Sequence, residues 1–208
     1  MTYDFHGQFD APTSTAGPDN ITGFLSAMQT VHQYQTPAIN QYNVTDAVKN
    51  YIAQGVPAAK LVVGIPAYTR IEESATTVTD TNMGLYLPLA AMTDQPVGEA
   101  GGGMTDYKCI INNAYCWGGY SFDRSTLNFV PSNIYLAAKT ITPWAYDKSQ
   151  NWFLSYDNGQ SANYKAKWAA QNGLAGMMVW ELDADIPNTD TYYQQNSIIY
   201  NAWLGLMN

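Results

Sequence analysis

Apolar residues recur at helical or strand spacing in the first third of the chain. A β-prone stretch, Met1–Phe5, precedes a loop rich in Pro, Ser, Thr and Gly that extends to Asn20. Two amphipathic stretches then predict helices over residues 21–34 and 43–55. The continuous apolar run over 60–66 is typical of a buried strand in a parallel sheet. The pattern therefore predicts a β-α-β order.

The helical period lapses between residues 68 and 159. Glycines, prolines and short alternating runs in this stretch predict a small α+β insertion with antiparallel strands. Beyond it, we expect a helix over 161–172, a second buried strand over 175–180 and a final helix over 191–206. The predicted units are a barrel portion over 1–67, an α+β insertion domain over 68–160 and a second barrel portion over 161–208.

Three buried parallel strands cannot close a sheet by themselves. An open sheet of this kind leaves a long apolar edge, which a partner segment must cover. We expect the missing N-terminal segment of a (β/α)8 barrel as that partner, or self-association of the chain.

Charge and composition narrow the choice of ligands. The 208 residues carry a net charge of −8 with no basic cluster, so nucleic acid and anionic membranes are poor partners. No apolar run is long enough to cross a bilayer. The 16 Tyr and 6 Trp suit carbohydrate binding, because these side chains combine a flat apolar ring with a polar tip. The same excess of Tyr and Trp is also found in many ordinary secreted proteins that do not bind carbohydrate.

The two cysteines allow two interpretations. Cys109 and Cys116 are close enough in sequence to form a disulfide, and two reduced thiols in the core are almost as plausible. With only His6 and His32 and no Cys-x-x-Cys pair, we predict neither a metal site nor a cofactor.

Polar and aromatic side chains follow the predicted parallel strands. In barrels of this type, functional residues lie at the C-terminal ends of strands, which here are Tyr3-Asp4, Tyr68 to Arg70, and Trp180. Each has a simpler interpretation. In this simpler interpretation Asp4 would cap a turn and Trp180 would pack in the core. Arg70 would form a surface ion pair with a nearby glutamate, Glu72 or Glu73.

Taken together, these strand ends resemble a known family. Met1-Thr-Tyr-Asp4, Gly64-Ile-Pro-Ala-Tyr-Thr-Arg70 and the stretch Gly173–Asp185 resemble the sixth, seventh and eighth strand motifs of glycoside hydrolase family 18, which contains chitinases. Trp152–Asn158 resembles the end of that family's insertion domain. The resemblance implies an α/β fold: the C-terminal part of a (β/α)8 TIM barrel, strands six to eight, with the α+β insertion.

The resemblance also implies roles for individual residues. Tyr3 would bind the N-acetyl group of the substrate and Asp4 would support it, Tyr68 and Arg70 would contact the sugar, and Trp180 would stack beneath it. Met1 and Met178 would line the pocket. The implied ligands are chitin or N-acetylglucosamine oligomers, and the implied location of the parent protein is extracellular.

The acid that this family uses for cleavage is absent from the sequence. Family members carry it as the Glu of an Asp-x-x-Asp-x-Asp-x-Glu motif, and the substrate's own acetamido group acts as nucleophile. None of the four glutamates here follows an Asp by two positions. We therefore predict no catalytic residue in this chain and an inactive isolated chain. A chitinase-like lectin without hydrolytic activity is the alternative.

Several further residues have two interpretations. For Asp183 and Asp185 we favour a structural or helix-capping role over a pair of catalytic carboxylates. Lys108 replaces a glutamate that the family usually carries, which changes the charge near the expected sugar site. Tyr146, Trp152 and Tyr156 either shape a substrate wall or pack the insertion.

Overall fold

A computed structural model describes residues 1–12, 19–91, 97–98, 101–131 and 139–208. Part of the predicted loop before Asn20, and Glu99, lie outside the described residues. The strands are β1 Val62–Pro66, β2 Tyr68–Glu73, β3 Val97–Gly98, β4 Gly101–Gly102, β5 Met104–Asp106, β6 Leu127–Val130, β7 Trp144–Asp147, β8 Trp152–Ser155 and β9 Gly176–Trp180. The α-helices are α1 Val44–Ala53, α2 Tyr107–Ile111, α3 Gly159–Gln171, α4 Tyr193–Asn196 and α5 Ile198–Met207.

The strands form two separate sheets. β1 and β9 pair in parallel, with Val62 opposite Gly176 and Pro66 opposite Trp180. The other seven strands form one sheet in the order β4-β3-β5-β2-β8-β7-β6, antiparallel except between β3 and β5. The parallel pairing of β1 with β9 and the antiparallel strands expected between residues 68 and 159 are thus confirmed. The domain limits at 67/68 and 160/161 stay predictions.

Two of the predicted helices form at the expected places. Asn43 caps α1 by accepting a hydrogen bond from the amide of Asp46, and Asn158 caps α3 through the amide of Ser161. α3 ends before Gly173, whose φ of 67° is a left-handed conformation that glycine adopts readily. α3 packs against α5 behind the parallel pair.

The predicted helix over 21–34 is wrong. Residues 21–28 are all buried, whereas an amphipathic helix would expose one side. Their amides pair with separate parts of the chain: Thr22 with the carbonyl of Leu87, and Met28 with the carbonyl of Thr140. The segment is an irregular stretch of chain that passes through the core, and its conformation is determined by long-range contacts.

The first predicted strand and the last predicted helix also need correction. No strand ladder forms on Met1–Phe5 within the described part of the chain; the Thr2 hydroxyl donates to the carbonyl of Gly64 instead, at 2.6 Å. The last helix is split at Ser197, whose hydroxyl accepts from the amide of Tyr200 and begins α5. The buried strand expected at β9 is only partly buried, because β9 has a single neighbouring strand.

A buried ion pair joins the two sheets. Lys165 on α3 donates to Asp157, which follows β8, at 2.8 Å and to the carbonyl of Ser26 at 2.6 Å. Both charged side chains are almost completely inaccessible to water. The Ser26 and Ser161 hydroxyls donate to the same carboxylate. This network fixes α3 against the irregular segment and the end of the larger sheet.

Cys109 and Cys116 form a disulfide with 4.4 Å between their Cα atoms. It resolves the choice left open by the sequence in favour of the bonded pair. Within the described ranges, no helix combines the length and apolar character that spanning a bilayer requires.

Candidate functional site

Asp4 is at the centre of a polar cluster at the ends of β1 and β2. The Tyr68 hydroxyl donates to Asp4 Oδ1 at 2.8 Å. Arg70 donates from Nε to Oδ1 and from Nη2 to Oδ2, both at 2.9 Å. Tyr68 and Arg70 are two positions apart on β2, so their side chains share one face of the strand. The guanidinium therefore holds the carboxylate in a two-point fork.

The backbone of Asp4 is in a left-handed conformation with φ of 59°. For a residue other than glycine this conformation costs about 1–3 kcal/mol and persists only where surrounding contacts impose it. The three hydrogen bonds to its carboxylate supply that constraint. Asp4 is thus held in a fixed direction at the end of its segment.

A cavity of about 280 Å³ opens beside this carboxylate. Its lining consists of Met1, Tyr3, Asp4, Tyr68, Arg70, Met104 and Trp180. Six of the seven residues expected from the sequence are therefore brought together. The seventh, Met178, lies behind the wall, packed against the cluster of Tyr3, Leu25, Tyr68 and Met104. Met104 was missed, because only the pairing of β5 with β2 places it opposite Arg70.

Tyr3, one of the lining residues of this cavity, has a buried hydroxyl group for which the described residues provide no hydrogen-bond partner. The residue is 8% exposed, and its hydroxyl makes no hydrogen bond with any described residue. Burial and the nearby Asp4 carboxylate raise the pKa of the Tyr3 phenol, so it stays protonated and able to donate. A buried polar group of this kind has an unmet demand for a partner, which a bound acceptor can satisfy.

Trp180 forms an exposed aromatic wall of the cavity. It is the last residue of β9 and is 50% exposed, which excludes the interpretation of Trp180 as a core residue. Its carbonyl accepts a hydrogen bond from the amide of Ala67, and its peptide bond to Glu181 is cis. An exposed indole beside fixed polar groups is a common arrangement in pockets that bind sugar rings.

Arg70 pairs with Asp4 and is also flanked by two aromatic rings, which corrects the surface ion-pair interpretation. Its Cζ lies 5.3 Å from the centroid of Phe9 and 5.4 Å from that of Tyr68. Burial lowers the pKa of Arg70, but the hydrogen bonds and charge of Asp4 outweigh this and raise it. Glu72 is instead fully buried and accepts from the amide of Gly23 at 2.8 Å. Phe9 was not predicted.

The capping interpretation of Asp185 is confirmed. Its carboxylate accepts hydrogen bonds from the amides of Ile198 and Ile199 at the start of α5, and from the Ser197 hydroxyl. Every one of these contacts is structural. Asp183 accepts from the Lys108 ammonium through its backbone carbonyl, and Lys108 also pairs with Asp106 at 3.1 Å.

The three aromatic residues with two interpretations pack in the hydrophobic clusters of the chain and do not line the cavity beside Asp4. Tyr146 is buried and donates to Asp80, and Tyr156 is buried and stacks on Tyr107. Trp152 packs against the main hydrophobic cluster.

Two larger cavities lack this combination of groups. One of about 430 Å³ lies beside Lys108, Leu182 and Tyr193, and one of about 310 Å³ beside His6 and Asp19. Within the described residues, neither is lined by a buried polar atom that lacks a partner. Nor do three or more His, Cys, Asp or Glu side chains in that part of the chain cluster to hold a metal ion.

Comparisons with known proteins agree with this geometry. The model of the family described as Glycosyl hydrolases family 18 matches residues 1–185. Among curated proteins, chitinase A1 of Niallia circulans is 30% identical over 190 residues, covering 89% of this chain and 23% of its own length. Chitotriosidase-1 of Mus musculus is 28% identical over 189 residues, covering 89% of this chain and 33% of its own length.

Solved structures give the same result at the level of fold. Human YKL-39, described as a pseudo-chitinase that retains chitooligosaccharide binding, superposes with a TM-score of 0.75 at 22% identity. The superposition covers all of this chain and 50% of the YKL-39 chain. The chitinase ChiA74 of Bacillus thuringiensis gives a TM-score of 0.71 at 25% identity, covering all of this chain and 31% of that one. The chain therefore spans half or less of these relatives.

The match over residues 1–185, together with these relatives, shows that the chain belongs to glycoside hydrolase family 18 and is a C-terminal part of its catalytic domain.

Proposed function

We propose that this chain forms the sugar-holding wall of a chitinase active site, whose acid is supplied by the rest of the catalytic domain. The observation that carries the proposal is that one cavity is lined both by Asp4, whose carboxylate is fixed, and by Tyr3, whose buried hydroxyl has no partner among the described residues. An N-acetylglucosamine unit has the matching groups: an acetamido carbonyl that accepts, hydroxyls that donate, and an apolar ring face.

In this proposal each residue has one role. Tyr3 donates to the acetamido oxygen of the substrate and orients it toward the anomeric carbon. The acetamido oxygen then attacks that carbon, in a substrate-assisted, retaining reaction. Asp4 accepts from the sugar, and Arg70 keeps its carboxylate ionised and aimed. Trp180 stacks under the ring. Met1 and Met178 complete the apolar surface of the pocket.

The fold follows the same proposal. Met1–Phe5, β1 and β9 take the places of strands six, seven and eight of a (β/α)8 barrel. Residues 68–160 form the insertion domain between the barrel portions 1–67 and 161–208. The parent enzyme hydrolyses β-1,4-linked N-acetylglucosamine polymers outside the cell, a compartment in which the disulfide between Cys109 and Cys116 persists.

The isolated chain is then inactive, because the Glu that protonates the leaving group in this family belongs to a motif that the sequence does not contain. The test is hydrolysis of a fluorogenic chitobioside by the chain alone and by the chain joined to the upstream barrel segment. We expect turnover only from the joined protein. Appreciable turnover by the isolated chain would contradict the absence of the acid.

A non-catalytic chitinase-like lectin is the second candidate, and the retained chitooligosaccharide binding described for YKL-39 is compatible with it. The upstream coding sequence distinguishes the two. An intact Asp-x-x-Asp-x-Asp-x-Glu motif identifies an enzyme, and replacement of its Glu identifies a lectin.

A further inference from the structure

Lys108 connects α2 to the turn that follows Trp180. Trp180 ends β9, and the chain then forms a short turn, Leu182–Ala184. The Lys108 ammonium donates to the backbone carbonyl of Asp183 in this turn. Lys108 does not belong to the lining of the sugar pocket. The contact therefore joins a residue outside the pocket to the segment that carries the exposed indole.

The Asp106 carboxylate orients the ammonium of Lys108. Asp106 ends β5, and its Oδ2 lies 3.1 Å from the Lys108 Nζ. The side chains of Asp106 and Lys108 are only 8% and 21% exposed, so solvent screens the pair weakly. An ammonium has three donors, which allows it to bind Asp106 and the carbonyl of Asp183 at the same time. The lysine is thus held between a buried carboxylate and the turn.

A second set of contacts reaches Trp180 from the same helix. The amide of Tyr107, the first residue of α2, donates to the carbonyl of Ala67 at 2.9 Å. The amide of Ala67 donates in turn to the carbonyl of Trp180 at 2.6 Å. The beginning of α2 therefore supports this segment at two points: at Trp180 through Ala67, and within the turn through Lys108.

The turn after Trp180 borders open space. Leu182 is 72% exposed, and Ala184 is the buried residue of the turn. Leu182 and Asp183 line the cavity of about 430 Å³ together with Lys108. A segment with few buried contacts opens easily unless hydrogen bonds hold it. Because the turn continues directly from Trp180, its conformation affects the orientation of the indole.

The residue type at position 108 differs from the family pattern. Lys108 replaces a glutamate that the family usually carries. An ionised carboxylate accepts hydrogen bonds but cannot donate them, so a glutamate could bind neither the carbonyl of Asp183 nor the carboxylate of Asp106. The contact is therefore specific to a lysine at this position.

We propose that Lys108 is a positioning residue for sugar binding: it fixes the turn after β9 and thereby keeps the Trp180 indole in the orientation that stacks on a sugar ring. This inference deepens the proposed function and rests on it for the identity of the ligand. Lys108 acts through Trp180, since it lies outside the pocket lining.

Calorimetric titration with chitotetraose tests this role. Lys108→Met should weaken binding about fivefold, because it removes the hydrogen bond that orders the turn. Lys108→Arg should bind nearly as well as the wild type, since a guanidinium can donate to the same two oxygens. Lys148→Met is the matched control. It removes another lysine–aspartate pair, 2.9 Å from Asp80, and should leave the affinity unchanged.

A double-mutant cycle with Trp180→Ala separates positioning from a general loss of structure. In the Trp180→Ala background, where Tyr3 and Asp4 still bind the ligand, Lys108→Met should cause no further loss of affinity. Amide hydrogen exchange over residues 181–185 gives a second readout that needs no ligand. Exchange should be faster in Lys108→Met and unchanged in Lys148→Met.

The outcomes distinguish this inference from the proposed function. Wild-type affinity of Lys108→Met, unchanged exchange over residues 181–185, or an equal loss of affinity in the Trp180→Ala background would each overturn the positioning role alone. A wild-type chain that does not bind chitotetraose would overturn the proposed function, and the role of Lys108 in sugar binding with it.

Discussion

The two sheets of this molecule differ in how completely they are covered. In the seven-stranded sheet, Ile71, Phe153 and Leu154 are 0% exposed. In the parallel pair, β9 is partly exposed along its whole length and its last residue, Trp180, is 50% exposed, whereas β1 is buried except for Val62 at 49%. One sheet has its core within this chain, and the other presents apolar surface that needs a further partner.

The proposed site lies on the incomplete side. The cavity of Tyr3, Asp4 and Trp180 lies at the end of the parallel pair, where the remainder of the catalytic domain is expected to join. The larger sheet contributes Tyr68 and Arg70 from its strand β2, which fix Asp4. The seven-stranded sheet thus makes the site rigid, while the parallel pair of β1 and β9 leaves one side of the site uncovered.

The largest effect is expected at the junction of the two sheets. Lys165→Met leaves the Asp157 carboxylate buried without its counter-ion and should lower the free energy of unfolding by about 3–5 kcal/mol. Urea denaturation measures it. Lys167→Met, at an exposed position of the same helix, is the matched control and should cost less than about 0.5 kcal/mol. Equal losses of unfolding free energy in the two variants would contradict the stabilising role of the buried ion pair between Lys165 and Asp157.

Truncations in the two sheets compare their cores directly. Leu154→Ala in β8 should cost about 2–5 kcal/mol, since its side chain is completely buried. Met177→Ala in β9 should cost less than half as much in the same urea titration, because its side chain is already partly exposed. Similar costs would show that the parallel pair is as well packed as the larger sheet.

Glu72 makes the larger sheet sensitive to pH. Burial raises its pKa well above the usual value, and one of its carboxylate oxygens has no hydrogen-bond partner among the described residues. The folded state therefore favours the protonated form, so its contribution to stability is full below the unfolded pKa of about 4.3 and is lost as pH rises through the folded pKa.

Glu72→Gln imitates the protonated form at every pH. It should be more stable than the wild type at pH 8, and the two should converge at about pH 4, in thermal melts across that range. Glu73→Gln, a partly exposed neighbour on the same strand, should not show this pH-dependent gain. A constant difference between Glu72→Gln and the wild type at all pH values would contradict the buried, protonated carboxyl.

How much could be predicted from the sequence depended on the range of the contacts involved. α1, α3, β1 and β9 were predicted because their apolar spacing and terminal residues, such as Gly173, are local signals. The segment 21–34 was misread as a helix, because the burial of residues 21–28 on every side comes from contacts with residues more than 60 positions away, such as Leu87 and Thr140.

The site shows the same division. Tyr3, Asp4, Arg70 and Trp180 could be placed together because strand ends of a parallel sheet meet at one edge. Met104 and Phe9 could not, since the first depends on the register of β5 against β2 and the second on a loop that folds back over Arg70. The fork on Asp4 and the unpartnered Tyr3 hydroxyl also require the three-dimensional structure.

Two buried hydroxyls without partners allow a direct test of the central claim. Tyr3 belongs to the lining of the cavity, whereas Thr69 is buried on β2 outside that lining. Removing either hydroxyl, by Tyr3→Phe or Thr69→Val, should leave stability unchanged or slightly higher, because each removes an unsatisfied polar group. Only the hydroxyl of Tyr3 is expected to serve a ligand.

The decisive measurement is calorimetric titration of the wild type and these two variants with chitotetraose. We expect Tyr3→Phe to bind about tenfold more weakly with an unchanged melting temperature, and Thr69→Val to bind like the wild type. Equal affinities of Tyr3→Phe and the wild type would contradict the claim that this chain holds the N-acetyl group of the substrate through Tyr3.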